Sequence, residues 1–290
     1  MDIRTEGLVR FDRLGMHHRQ LQKHRRKLLD IRNIMSSMKT LAAIETHKLE
    51  RGIASQQLLV QSIEDMAADF LSFFPQAFPE LKAPTDVVIV IGSERGFCGD
   101  FNDRIVRELD QRFTETEQAA DVVAVGNKLE PLLQESPNQI AFVRGADVTE
   151  EIVSVLDSLA TALGSHRQAS SLCVLHHDFQ TNEVATAVLL PPFGQATLRP
   201  PDFSTPPLLN LPTMEFFLEL IDHYLFTALH RILHLSLMAE NQHRIQHLER
   251  ATNHLDDRTE ELGHRINTLR QEEIIEEIEV ILLNATTGLT

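Results

Sequence analysis

No proline occurs from Thr213 to Thr290, and the only glycines there are Gly263 and Gly288. Within this stretch Ile245, Leu248, Thr252, Leu255, Thr259, Leu262, Ile266 and Leu269 alternate between spacings of three and four. Leu248, Leu255, Leu262 and Leu269 repeat every seven residues. Such spacing draws one narrow apolar seam along a long helix and requires a second helix to cover it. The flanks are polar and charged, so this is not a membrane span.

The opposite end of the chain offers the cover. Met1 to Phe74 also lacks proline, and Leu21, Leu28, Met35, Ala42 and Leu49 recur every seven, with Ile31 and Met38 between them. This seam lapses at Glu45, Gly52 and Gln56 and resumes, shifted, at Leu59, Ile63, Met66 and Phe70. A change of register predicts a coiled coil with a stutter. Each arm is expected to run about 40 residues, beyond the usual helix length. The alternative is two ordinary helices of a globular bundle. Residues before about His17 read as a loosely ordered extension.

Charge supports the pairing. The formal net charge is −15. Lys and Arg number 12 against 9 Asp and Glu in residues 1–74, 9 against 19 in 75–212, and 6 against 14 in 213–290. A basic arm and an acidic arm attract, though exposed pairs are weak and salt-screened. The acidic total argues against a nucleic-acid binder. The basic run His17–Lys27 reads as a solvated helix face, because no aromatic residues interleave with it. Cys98 and Cys173 are the only cysteines, which implies no disulfide framework and fits a reducing compartment. The N-terminus lacks the apolar core of a signal peptide.

The middle segment has a different grammar. After Pro75, Pro79 and Pro84, the run Val87–Ile91 reads as a buried strand. Strands are also expected at Val122–Val125, Ile140–Val143, Leu172–His176 and Ala185–Leu190. Helices are expected at Phe101–Phe113, Leu129–Leu133 and Thr149–Leu163, the last capped by Thr149. Alternation of this kind predicts a Rossmann-like α/β domain with a largely parallel sheet. Residues 191–212, with seven prolines, return the chain to the C-terminal helix. The expected segments are 1–74, 75–212 and 213–290.

The glycine loop Gly92–Gly99 follows a strand and precedes a helix, where a phosphate could sit on a helix N-terminus. Its first two glycines are four apart, not the two of a dinucleotide fingerprint. No Lys-Ser or Lys-Thr follows as in a P-loop, and Glu94 and Asp100 would repel a phosphate. Tight turns and close packing explain the glycines better. His230 with His234, and His243 with His247, have chelating spacing but lack a His-Glu-x-x-His context, so solvent-facing histidines are expected. Glu272-Glu273 and Glu276-Glu277 are expected on an exposed helix face. No catalytic constellation, cofactor site or metal site is argued from these residues.

Three stretches together resemble the gamma subunit of F-type ATP synthases. Ile34–Ala43 (IMSSMKTLAA) is similar to the family's ITKAMKMVAA motif, and Val88–Asn102 (VIVIGSERGFCGDFN) to its strand and SDRGLCGGLN loop. Ser236, Glu240, Arg244, Ala251-Thr252, Asn267, Arg270-Gln271 and Ile274 fall where its C-terminal motif places them. Departures mark a divergent member: Ile275 stands for a usual Thr, Glu94 for Asp, Asp30-Ile31 for Asn-Thr, and Leu283-Asn284 for glycines. The resemblance implies an antiparallel coiled coil of the terminal helices, turning inside a ring of alpha and beta subunits. It implies a non-catalytic rotor shaft without cofactor or metal, in contact with epsilon and the membrane c-ring but not inserted in the bilayer. It places the complex on the cytoplasmic face of a bacterial plasma membrane, since no chloroplast-type cysteine insert is present. By motif match, Met38, Lys39, Arg244, Arg270 and Gln271 are the expected contacts to the beta subunit. Two other classes compete: a nucleotide-dependent α/β enzyme, and a coiled-coil adaptor unrelated to rotary motors.

Overall fold

The computed structural model describes residues 3–77, 86–116, 120–134, 140–164, 171–193 and 205–287. Pro79, Pro84, the centre of the 191–212 connection and the side chains of Leu283 and Asn284 lie outside the described residues. Helix α1 spans Ile3–Phe73, 71 residues in all. It is followed by β1 (Asp86–Ile91), α2 (Phe101–Thr116), β2 (Asp121–Val125), α3 (Glu130–Leu133) and β3 (Ile140–Val143). Then come α4 (Ile152–Leu163), β4 (Ser171–His177), β5 (Val184–Leu190) and α5 (Thr213–Thr287), the last of 75 residues. Both terminal helices greatly exceed the expected length. The segment before His17 is helical, not a loose extension. Leu8, Phe11 and Leu14 recur there at three-residue spacing and no proline intervenes.

By contacts the chain divides into two compact units: Met1–Thr40 with Leu248–Thr290, and Leu41–His247. In the first, α1 and α5 run antiparallel. His18 meets Glu273, Arg25 meets the Thr259 carbonyl, Arg32 meets Asp256 and Lys39 meets Glu249, so partner numbers fall as α1 numbers rise. Leu248, Thr252, Thr259, Leu262 and Ile266 are buried and Leu255 and Leu269 half-buried, as the seam requires. The two threonines are tolerated because each hydroxyl donates to the carbonyl three residues back, Glu249 and Asp256.

The expected stutter in α1 is absent. Leu21, Leu28 and Met35 are half-buried, Ala42, Leu49, Ile63 and Phe70 are buried, and half-buried Gln56 keeps the beat, so one heptad row runs unbroken. Its companion row is not Ile31, Leu59 and Met66, which are exposed. It is His18, Arg25, Arg32, Lys39, Thr46, Ile53, Val60 and Ala67: basic up to Lys39, increasingly apolar after Thr46. Two residues of the basic run His17–Lys27 therefore reach α5: His18 is half-buried against it, and Arg25, though exposed, donates to the Thr259 carbonyl. The acidic pairs also split. Glu272 and Glu277 are exposed, whereas Glu273 and Glu276 continue the α5 seam and are half-buried.

In the second unit the sheet order is β3-β2-β1-β4-β5, parallel throughout except for β5, which runs antiparallel to β4. Val87, Ile89 and Ile91 pack toward α1, α4 and α5, while Val88 and Val90 pack toward α2 and α3. Both faces are covered, which is why β1 is a continuous apolar run without alternation. The expected Thr149 cap does not form. Thr149–Glu151 is a 3-10 turn without a side-chain cap, and Thr149 donates its hydroxyl to Glu45 at 3.3 Å.

Candidate functional site

The loop between β1 and α2 gathers a dense polar network. Gly92 is needed where Leu129 and Asn102 press in, since an added Cβ would lie 2.4 Å from the Leu129 Cγ. Asn102 accepts the Ser93 amide at 2.9 Å and donates to the Ser93 hydroxyl at 2.8 Å, fixing the loop's entry.

Three consecutive residues then reach in different directions. The buried Glu94 carboxylate accepts from the Asn127 side chain (2.6 Å) and amide (3.2 Å), the Gly145 amide (2.9 Å) and Arg144 Nε (3.2 Å). It thereby ties the C-terminal end of β1 to the residues just after β2 and β3. Arg95 pairs with Asp147 at 2.6 Å. The Gly96 carbonyl accepts from Arg244 Nε at 3.4 Å. In a doubly wound sheet a ligand's phosphate would bind just here, at the carboxyl ends of the strands. Two of the backbone donors there, the Asn127 and Gly145 amides, are taken by Glu94, and the Ser93 amide is taken by Asn102, so this part of the loop serves internal bonding.

Arg244 and Glu240 form an ion pair one helical turn apart on α5, both side chains almost fully buried. Arg244 also donates to Asn241 Oδ1 at 2.7 Å. Burial pushes the Glu240 carboxyl up to about 7 against the opposing pull of Arg244. Burial likewise pushes the neighbouring Cys98 thiol up to about 12, which makes it a poor nucleophile.

The histidines are not solvent-facing as a class. His177 donates from Nε2 to the Phe101 carbonyl (2.8 Å), stacks on the Phe101 ring at 3.8 Å and meets His243 edge-on. His234 is buried, with Nδ1 on the His230 carbonyl at 3.0 Å. Burial lowers the His176, His230 and His234 rings below the ordinary histidine range and pushes His177 down to about 4. Between pH 6.5 and 4 the unfolded chain therefore binds a proton that folded His177 refuses. Stability is fully present above 6.5 and is lost as pH falls through that window. The expected contribution is up to about 3 kcal/mol. Chemical denaturation of wild type and His177→Leu across pH 4–7 checks this: the variant should take up about one proton fewer on unfolding.

The five residues expected from motifs are not gathered in one place. Met38 and Lys39 are half-buried on α1, with Lys39 Nζ 3.6 Å from Glu249. Arg270 and Gln271 are exposed on α5. These four belong to the first compact unit. Arg244 belongs to the second, where its donors are used within the chain. The loop's partners Asn127, Arg144, Gly145 and Asp147 were not foreseen. Their only sequence signal is the glycines that follow β2 and β3, Gly126 and Gly145. Among the described residues no cluster of three or more His, Cys, Asp or Glu could hold a metal ion, and no helix is long and apolar enough to cross a membrane.

Comparisons with known proteins agree on one family. The model of the family described as ATP synthase matches residues 17–286. The ATP synthase gamma chain of Clostridium beijerinckii is 21% identical over 275 residues, covering 91% of this chain and 95% of the relative. The mitochondrial ATP synthase gamma subunit of Pichia angusta is 25% identical over 111 residues, covering 38% and 39%. A chain in the Euglena gracilis mitochondrial ATP synthase structure superposes with a TM-score of 0.62 at 14% identity, covering 94% of this chain and 95% of that one. A chain from the central stalk and c-ring of the Tetrahymena thermophila enzyme gives a TM-score of 0.55 at 16% identity, covering 75% and 99%.

Proposed function

Because the chain belongs to the ATP synthase family as a gamma chain, we propose that it uses its paired helices as the turning shaft and its sheet-bearing segment as the attachment to the ion-driven part of the motor. A gamma chain is a non-catalytic subunit with a rotor-shaft role, coupled to catalytic subunits that do the bond chemistry. In this reading residues 1–74 and 213–290 are shaft and 75–212 the attached α/β segment.

The observation that carries the reading is the state of the helix surfaces in the single chain. Ile274, Ile275, Ile278, Ile281 and Leu282 on α5, and Ile34, Leu41 and Ile44 on α1, are large apolar side chains left exposed outside the seam. Clusters of this size on a helix already paired along its seam call for a further protein surface. Alpha and beta subunits around the shaft would supply it. Differential contact is the mechanism: each shaft orientation favours the beta conformation it touches best, so turning shifts the three sites in sequence.

Arg270 and Gln271, exposed beside the α5 stripe, are the proposed polar contacts to beta. Met38 and Lys39 are proposed for the opposing helix. Arg244, whose donors are spent internally, would act only through the loop it holds. Epsilon and the c-ring are the proposed partners of the sheet-bearing segment, and the assembled complex is proposed to lie peripherally on the cytoplasmic face of a bacterial plasma membrane. The match to clostridial gamma chains over about nine-tenths of this chain supports the bacterial placement.

The test is the double variant Arg270→Glu with Gln271→Ala in the reconstituted complex. Ions pumped per ATP hydrolysed should fall by about fivefold or more, the low end of ordinary coupling between sites, with helix content of the isolated chain unchanged. Undiminished ATP-driven pumping would remove both residues from the interface.

A further inference from the structure

The hydrophobic effect that holds a helix against a sheet is non-directional, so polar bonds add an angular constraint to that of side-chain interdigitation. In the second compact unit, α1 and α5 meet the sheet largely in this way. Leu49, Val60, Ile63, Ala67 and Phe70 of α1, and Phe217, Leu220, Leu229, Ile232 and Leu233 of α5, join one apolar cluster with β1, β2 and β4.

Among the described residues, two sets of directional bonds join these helices to the α/β segment near the unit's boundary. On α1 they lie at Glu45 and Lys48, within the first eight residues of that unit after its boundary at Leu41. Glu45 is half-buried and accepts from the Thr149 amide (3.4 Å) and hydroxyl (3.3 Å), and Lys48 Nζ bridges Glu45 (2.7 Å) and Glu150 (3.3 Å). On α5 they lie at Glu240 and Arg244, within the last eight residues before the boundary at His247. There the buried ion pair grips the loop after β1 through the Gly96 carbonyl, and Glu94 in turn grips the ends of β2 and β3. Both helices are thus bonded to the α/β segment at the chain positions where they leave it. In some packed helices a buried polar group sets register at no gain in stability.

We propose that Glu45 and Lys48 with Thr149 and Glu150, and Glu240 and Arg244 with the 94–96 loop, form a collar that fixes the rotational register of both shaft helices against the α/β segment. They are positioning residues, and the proposal rests on the rotor-shaft reading above. The collar converts rotation of the sheet-bearing segment into rotation of the helices. Without it the same apolar contacts persist but twist is lost as slippage.

The experiment uses the complete reconstituted complex carrying Glu45→Gln with Lys48→Gln on the α1 side, Arg244→Lys on the α5 side, and all three together. The α1-side groups are partly exposed, so that variant folds even if the α5-side one does not. Read-outs are ions pumped per ATP hydrolysed, torsional stiffness from single-molecule rotation, and thermal unfolding of the isolated chain. Each half is expected to lower stiffness. The triple variant is expected to lower the pumping ratio by about fivefold, more than the product of the separate effects, as for groups that share one task. Restoring Glu45 and Lys48 in the triple variant should recover most of it. A purely structural role would lower unfolding temperature and leave stiffness and pumping ratio alone, and that result overturns the collar. If the collar variants change nothing while Arg270→Glu with Gln271→Ala uncouples, the shaft reading stands and the collar falls. If the wild-type chain fails to assemble with alpha and beta subunits, the shaft reading itself falls.

Discussion

Phe70→Ala is expected to destabilise the sheet-bearing unit by about 3–5 kcal/mol, the range for emptying a buried aromatic site. Phe70 is 2% exposed and sits at the centre of an aromatic group. Its ring lies 5.8 Å from Phe217 in a stacked arrangement, 5.0 Å from Phe216 and 5.1 Å from Phe74. It therefore joins the end of α1 to the start of α5, one helix's last turn to the other's first. Collapse into the vacated space is hindered because its neighbours are themselves rings. Phe70→Leu should recover more than half of the loss. Chemical denaturation of the isolated chain decides the matter, and a change below about 1 kcal/mol would mean that the aromatic group repacks freely.

The second large effect belongs to Gly126, which closes β2 at a φ of +108°. A Cβ there would lie 2.8 Å from the carbonyl oxygens of both Gly92 and Ser93, which are backbone atoms with no rotamer to yield. Left-handed strain on a non-glycine residue costs roughly 1–3 kcal/mol before any clash is counted. Gly126→Ala should therefore push β2 off the β1 loop and loosen the Glu94 network. Gly96 supplies the control within the same network: a Cβ added there would meet nothing within 4 Å, and Gly96→Ala should leave stability unchanged. Unfolding midpoints of the two variants give the comparison. Equal midpoints would show that the close approach of the two loops is dispensable.

The two helices and the strand positions were legible because both rest on local periodicity. Runs such as Val87–Ile91 are short, β-branched and bounded, and a strand buried on both faces leaves no other pattern. The register of α1 was harder. Its second row begins with His18, Arg25, Arg32 and Lys39, and hydropathy alone does not count such residues as facing a partner. Their long stems can cover a seam while the charged ends reach polar groups at its margin. Reading only apolar letters exchanged that row for Ile31, Leu59 and Met66 and created a stutter that the chain does not have.

The loop after β1 failed for a different reason. Glu94 reads as a lone acid in a glycine-rich turn, and its partners lie 33, 50 and 51 residues away. Only the parallel order β3-β2-β1 brings Asn127, Arg144 and Gly145 to one edge. Sequence spacing carries no trace of that neighbourhood. The same holds for Glu45, which local pattern marks as a lapse in a seam and the fold places against Thr149.

A leucine repeat by itself has no memory of which heptad is which, since sliding one helix past the other by seven residues returns apolar groups to apolar groups. The half-buried Glu273 beside His18 breaks that degeneracy. A slip of seven residues that set Phe11 in the place of His18 would leave the carboxylate its shelter but take its donor, an outcome costlier than the slip of any leucine, whereas a slip the other way would set Arg25 there and move Thr46 opposite Glu249 in the place of Lys39. The pairing of the two helix ends is thus indexed by an acid, much as a vernier is read from its single coincident mark.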